Sequence, residues 1–250
     1  MTLLHALFFD MDGVIIDTEK DGHRVAFNTA FVEFGINIHW DVKEYGELLK
    51  ISGGKERMRH YFNIKEVWRD FDDEDPGELI RRLHKRKTEI FVQLIEGGGL
   101  KLRPGIHRVM KAANGQGVPV CICTTANPKA AEAVIGNSLS DIEFTHVLAG
   151  DVVKKKKPSP EIYLLALERT GAEPSKSIVI EDSRNGMLAG YNAGIRVVVT
   201  VSTYTSGEDF SDAALVVNCL GDRDKEQARL LQGEVEGFDG VVTLEMLAAL

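Results

Sequence analysis

The sequence predicts an α/β fold in which a parallel sheet with helices on both faces is interrupted, after its first strand, by an inserted helical domain. Two observations carry this. Short apolar runs rich in Val and Ile at 3–10, 118–123, 145–149, 177–181 and 195–201 alternate with helical stretches, as strands buried on both faces do. The alternation fails once, between the first run and Val118, where helical spacing dominates.

Taken in order, residues 3–10 form the first strand. Residues 18–34 place Phe27, Ala30, Phe31 and Phe34 at helical spacing and stop at Gly35. Asp75-Pro76-Gly77-Glu78 reads as the capped start of a helix running to Glu96, which Gly97-Gly98-Gly99 ends. A triple glycine after a long helix suits a linker, so the helical cap domain is placed at 17–97 and the sheet domain at 1–16 and 98–250. Beyond it, helices at 127–137, 159–170 and 183–193 each lie between two strands. Ser159 is the expected cap with Pro160 at the first helical position, and Gly171 and Gly194 stand at stop positions. Residues 221–240 are polar and read as a loose surface segment before a last helix at 243–250.

Composition narrows the function classes. A chain of 250 residues, 44% hydrophobic, is ample for a packed core. No apolar run approaches the roughly 20 residues that span a bilayer. The N-terminal stretch lacks a basic flank and a small-residue cleavage site, so a cytoplasmic protein is expected, or one of the chloroplast stroma if a transit peptide was removed. Three cysteines, Cys121, Cys123 and Cys219, suit buried thiols in a reducing compartment. Thirty basic against thirty-eight acidic residues give a net charge of −8, which argues against a nucleic-acid partner. A monomer without membrane partners is expected, and an anionic substrate would need local basic groups.

Open parallel sheets bind ligands beyond the carboxyl ends of their strands. The residues found there are Asp10 and Asp12 after the first strand, Thr124 and Thr125 after the second, Lys157 after the third, and Glu181 and Asp182 after the fourth. Asp10 and Asp12, two apart in extended chain, face one way, and Gly13 allows the tight turn that follows. Two such carboxylates repel unless a cation lies between them or one holds a proton; Asp182 completes an oxygen-rich set suited to Mg²⁺. Thr124 offers a hydroxyl and Lys157 an ammonium for phosphate oxygens. Lys154, Lys155 and Lys156 read as a solvated run.

In the cap, Gly53-Gly54 before Lys55 either wraps backbone N–H groups around an anion or is an ordinary turn between helices. Ile80, His84, Lys87, Phe91 and Ile95 share one helical stripe. His84 can be a satisfied core residue, whereas Lys87 on that stripe needs either an anion or a stem that reaches water.

The set Asp10-x-Asp12-Gly13-Val14, Thr124, Lys157-Pro-Ser-Pro and Glu181-Asp182-Ser183-x-x-Gly186 resembles the four ordered motifs of the haloacid dehalogenase superfamily. The resemblance implies a Rossmann-like core with a helical cap inserted after the first motif. It implies attack by Asp10 on phosphorus, acid/base work by Asp12, and Mg²⁺ held by Asp10, the Asp12 carbonyl and Asp182 with Glu181 in or near the shell. Trp40-Asp41-x-x-Glu44-Tyr45, Ser52-Gly53-Gly54-Lys55-Glu56-Arg57, Thr18-Glu19-x-x-Gly22-His23-Arg24 and Ala149-Gly150-Asp151 further resemble the CbbY-type xylulose-1,5-bisphosphate phosphatases. That implies loss of the 1-phosphate from xylulose 1,5-bisphosphate, an inhibitor of Rubisco in the Calvin cycle. Gly53, Gly54, Lys55, His84 and Lys87 would hold the distal phosphate, Glu19 the sugar hydroxyls, and Thr124, Thr125, Ala126, Asn127 and Lys129 the substrate on the core side. The alternatives are a β-phosphoglucomutase-like phosphomutase, another sugar-phosphate phosphatase, and a non-catalytic phosphosugar-binding protein.

Overall fold

The computed structural model describes residues 4–51, 53–68 and 75–250, so Leu3 and Ser52 of the sequence reading lie outside the described residues. The chain divides into two compact units, 1–17 with 100–250 and 18–99. In chain order the elements are β1 (Ala6–Phe9), a π-helical turn (Thr18–His23), α1 (Arg24–Glu33), α2 (Val42–Leu48), α3 (Gly54–Ile64), α4 (Pro76–Glu96), α5 (Ile106–Gly115), β2 (Val120–Cys123), α6 (Pro128–Ser138) and β3 (His146–Leu148). There follow α7 (Glu161–Thr170), a 3₁₀ turn (Pro174–Lys176), β4 (Ser177–Glu181), α8 (Arg184–Asn192), β5 (Arg196–Thr200), β6 (Leu215–Val217), β7 (Leu230–Gln232) and α9 (Leu244–Ala249).

In the core unit the sheet runs β3-β2-β1-β4-β5-β6-β7, parallel except for β7. β1, β2 and β4 are buried along their whole length, as the apolar runs of β1 and β2 and the Ile178–Ile180 centre of β4 require. Because successive side chains alternate, Phe8, Cys121, Val179 and Val197 join Ile162, Tyr163 and Ala166 of α7 and Met187 of α8 in one cluster. α8 can approach so closely because position 190 is glycine: a Cβ there would lie 2.7 Å from Val197 Cγ2. β1 lies between β2 and β4, with Phe9 opposite Ile122 and Ile180. The next residue, Asp10, is held by its N–H to Ile180 O at 3.0 Å.

Three features differ from the sequence reading. β6 and β7 lengthen the sheet by two strands that the sequence pattern did not separate from their polar surroundings. α5 was not read; its apolar residues Ile106, Val109, Met110 and Ala113 form a buried stripe. The 221–240 stretch is not merely loose. It contributes β7, buries Ala228, and lies under Arg108, which donates to Leu220 O, Gly221 O and Val242 O. A smaller shift concerns α7, whose N-cap is Pro160 rather than Ser159.

The regular elements among the described residues of the cap unit are all helical. Its centre is aromatic: Phe27, Phe31, Trp40, Tyr45 and Phe62 are all fully buried, with Trp40 4.9 Å from Phe31 and 5.0 Å from Phe27 between ring centroids. Asn28 is buried among them and satisfied by the Trp40 backbone, donating to its carbonyl and accepting from its N–H, both at 2.9 Å. α4 begins as the sequence predicts, with Asp75 accepting from the Glu78 N–H at 2.8 Å and Pro76 in the first turn.

Candidate active site

At the carboxyl end of β1 the chain turns sharply. Gly13 N–H bonds Ile16 O at 2.7 Å, and Gly13 itself takes φ +81°, which leaves no room for a side chain: a Cβ would lie 2.0 Å from Asp182 Oδ2. The turn carrying Asp12 is thereby pressed against the acid that follows β4. A cleft of about 340 Å³ opens there, lined by Asp10, Asp12, Thr125, Lys156, Lys157, Glu181, Asp182, Ser183 and Asn185.

Lys157 is the hub. Its ammonium donates to Asp10 Oδ1 at 2.5 Å, Glu181 Oε1 at 2.5 Å and Cys123 O at 3.0 Å, so all three hydrogens are engaged within the protein. Burial works against its charge, but Asp10 and Glu181 outweigh that and raise its pKa above the ordinary value. Glu181 is engaged at both oxygens: Oε1 also accepts from Tyr163 OH at 2.6 Å, and Oε2 from the Asp182 N–H at 3.2 Å.

The carboxylates of Asp10, Glu181 and Asp182 converge, with one oxygen from each inside a 4.8 Å spread. Burial pushes Asp10 up to about 7 despite the pull of Lys157. Asp182 stands well above its ordinary range through burial and then through Glu181 and Asp10. Three buried acids against the ammonium of Lys157 and the guanidinium of Arg103 still leave negative charge uncompensated, and a hard divalent cation with oxygen ligands matches that donor set.

Other predicted core residues fall around this centre. Thr124 is fully buried and its hydroxyl accepts from the Ala126 N–H at 3.0 Å, whereas Thr125 lines the cleft. Asn127 caps α6, accepting from the Lys129 N–H at 2.9 Å, and the Lys129 side chain is exposed. Lys156 is exposed, as its reading in a solvated run expects, and also lines the cleft, pairing with Asp151 at 2.8 Å. Ser183, named in the fourth motif without a role, caps α8 by accepting from the Gly186 N–H at 3.2 Å, whereas Asn185 and Tyr163 carry no signal in the sequence reading.

The cap unit gathers its predicted residues separately. Lys87 is buried, only 7% exposed, so its stem does not reach water. Its ammonium is 2.9 Å from His23 Nδ1 and lies over the rings of Phe27 and Phe91. Burial lowers Lys87 to about 8, and burial with Lys87 lowers His23 to about 3, so His23 is neutral near pH 7 and its Nδ1 accepts. His84 is also lowered, by burial and then by Lys87 and Lys55. It packs at the start of α3, where a Cβ on Gly54 would lie 3.2 Å from its ring; Gly53 is the α3 N-cap at φ +90°. Glu19 accepts from Tyr45 OH at 2.7 Å, and Tyr45 OH in turn accepts from buried Arg57 at 3.0 Å. Arg57, quoted in the cap segments without a role, adds its charge to Lys55, His84 and Lys87, and neutral His23 serves this group as the acceptor for Lys87.

The family described as "Hydrolase: haloacid dehalogenase-like hydrolase" matches residues 4–194. The chain belongs to this family. It is an enzyme, a phosphatase. Among its relatives, the CBBY-like protein of Arabidopsis thaliana is 49% identical over 231 residues, covering 90% of this chain and 72% of that protein. The structure of CbbY from Rhodobacter sphaeroides in complex with phosphate is similar at TM-score 0.68 and 36% identity, covering 87% of this chain and 95% of that one. A mutant of the same protein, in complex with xylulose-(1,5)bisphosphate, is similar at TM-score 0.65 and 35% identity over the same shares. The Rossmann-like fold expected of the family is present. No helix among the described residues is long and apolar enough to cross a membrane.

Proposed function

We propose that the chain is a Mg²⁺-dependent sugar-bisphosphate phosphatase that converts xylulose 1,5-bisphosphate to xylulose 5-phosphate and inorganic phosphate. The observation that carries the chemistry is the carboxylate of Asp10, fixed through one oxygen by Lys157 beside the buried acids Glu181 and Asp182.

With Oδ1 held by Lys157, Oδ2 of Asp10 attacks phosphorus and forms an aspartyl phosphate. Asp12 gives a proton to the departing sugar oxygen and then takes one from the water that hydrolyses the aspartyl phosphate. Lys157 contributes charge close to the phosphoryl group rather than a free donor, because its hydrogens are taken. Thr125, Ser183 and Asn185 offer polar groups in the same cleft. Mg²⁺, held by Asp10 and Asp182 with the Asp12 carbonyl, would supply the positive charge that lets a carboxylate approach a phosphate. Glu181 then orients Lys157 rather than acting as a principal ligand.

For substrate choice the support is chemical. Lys55, Arg57, His84 and Lys87 make a basic group inside the cap unit, suited to a second phosphate, and Glu19 with Tyr45 suits sugar hydroxyls. The relative crystallised with xylulose-(1,5)bisphosphate points the same way. A phosphate-release screen with Mg²⁺ across sugar mono- and bisphosphates tests the reading. Release from xylulose 1,5-bisphosphate well ahead of xylulose 5-phosphate and fructose 6-phosphate is expected. Equal turnover of monophosphates overturns the substrate, and sugar-phosphate isomerisation without phosphate release would replace the phosphatase by a phosphomutase.

A further inference from the structure

We propose that Arg103 is a positioning residue for the Asp12–Gly13 turn, on which proton donation by Asp12 to the leaving oxygen depends. The inference rests on the acid/base role given to Asp12 above. Arg103 belongs to no motif and lines neither strand nor helix. Its guanidinium nevertheless spans the carboxyl ends of three strands. Nη1 donates to the carbonyl of Gly13, to Thr200 O at 2.9 Å and to Thr200 Oγ1 at 3.2 Å, while Nη2 donates to Val201 O and Asn218 O, both at 2.6 Å. Its own backbone N–H bonds Ile15 O at 2.9 Å.

Gly13 is therefore gripped from two sides. On one is the guanidinium at its carbonyl; on the other is Asp182, which a Cβ at Gly13 would meet at 2.0 Å. The turn's internal bonds, Gly13 to Ile16 and Ile15 and Ile16 to Met11, close it upon itself, and beyond the guanidinium it is held by the Ile16–Leu102 bridge, the Arg103 N–H at Ile15 O and the burial of Met11, Val14, Ile15 and Ile16. A planar fork with five donors can serve carbonyls from the ends of β1, β5 and β6 at once, and a lysine cannot. The positive charge meets carbonyl oxygens, with Asp17, Asp182 and Glu226 as the acids acting on it. A general acid must stand within hydrogen-bond reach of the oxygen it protonates, so the position of this turn sets the rate of that transfer.

The test compares leaving groups. Phenyl phosphate and p-nitrophenyl phosphate have nearly one shape, but the nitrophenolate departs without a proton and the phenolate needs one. For Arg103→Lys and Arg103→Gln, kcat/KM, which reports steps up to phosphorylation of Asp10, is expected to fall on the order of tenfold more for phenyl phosphate. A merely structural role lowers both by one factor, and that result overturns the inference. If both variants fail to fold, Thr200→Val keeps the strand residue's shape and removes one acceptor; a differential of about threefold in the same direction is expected, and its absence is equally adverse. If the wild-type protein releases no phosphate from any ester, the functional reading fails and takes the inference with it; a working wild type with equal losses defeats the inference alone.

Discussion

Lys157 Nζ lies 2.5 Å from Asp10 Oδ1, and this contact ties the loop after β3 to the end of β1 across β2. Removing the ammonium leaves Asp10 and Glu181 facing each other with nothing between them. Lys157→Met is expected to lower kcat by about 10²–10³-fold, the usual cost of losing one preorganised charge at a reacting centre. Lys157→Arg is expected to rescue little, because a planar fork does not fit a site shaped to a point charge. Initial rates of phosphate release check both.

The acid cluster makes opposite predictions with and without metal. In EDTA, Asp182→Asn should raise the melting temperature, because it removes one of three buried, mutually repelling acids. With Mg²⁺ at a hundredfold its dissociation constant, the wild type should gain about 2.7 kcal/mol and the variant much less. Thermal melts with and without Mg²⁺ read both signs, and a wild type indifferent to Mg²⁺ would count against the site. Asp10→Asn should abolish turnover.

Lys87 and His23 predict a pH dependence whose sign follows from their burial. Lys87 titrates near 8 in the folded protein against an ordinary 10.5, so the unfolded chain holds the proton more tightly between those values and stability rises with pH across that window. The cost of the buried charge is present in full below pH 8. Lys87→Met should therefore be relatively most stabilising below pH 8, with its advantage fading by pH 10.5. His23, lowered to about 3 from 6.5, adds a second rise between those limits, absent in His23→Phe. Urea titrations at stepped pH compare the slopes.

Two glycines give contrasting alanine variants. At Gly186 a Cβ would lie 1.9 Å from Glu181 Oε2, and Glu181 is pinned by Lys157 and Tyr163. Gly186→Ala is expected to cost about 1–3 kcal/mol and to reduce activity. Gly136, in α6, has nothing within 4 Å of that position, and Gly136→Ala should stabilise by roughly 0.5–1 kcal/mol. Urea midpoints at unchanged m separate them.

What the sequence revealed follows a physical pattern. Asp10, Asp12, Lys157 and Asp182 were legible because ligand-facing chemistry clusters at strand ends, and the strand ends could be found from apolar runs. The α4 start was legible because Asp75 caps through its own side chain. α5 was not: its N-cap is Gly105, which carries no side-chain signal, and no acid marks its first turn. β6 and β7 are three residues each, too short for a period to show. Tyr163 is buried inside α7 and meets Glu181 only through the folded sheet. Arg103 binds backbone carbonyls 90 or more positions away, and a carbonyl has no letter in the sequence. Lys156 differs from its neighbours only through the path of its loop.

Ile16 pairs antiparallel with Leu102, and Ile15 accepts from Arg103. The chain thus leaves and rejoins the core at two hydrogen-bonded neighbours. In chain-entropy terms the whole insert is a loop whose ends are already closed, and doubling a loop's length costs only about 0.6 kcal/mol. Selection can therefore lengthen, trim or redecorate the cap at almost no thermodynamic cost to the strand that bears Asp10, so that specificity can change while the reaction stays the same.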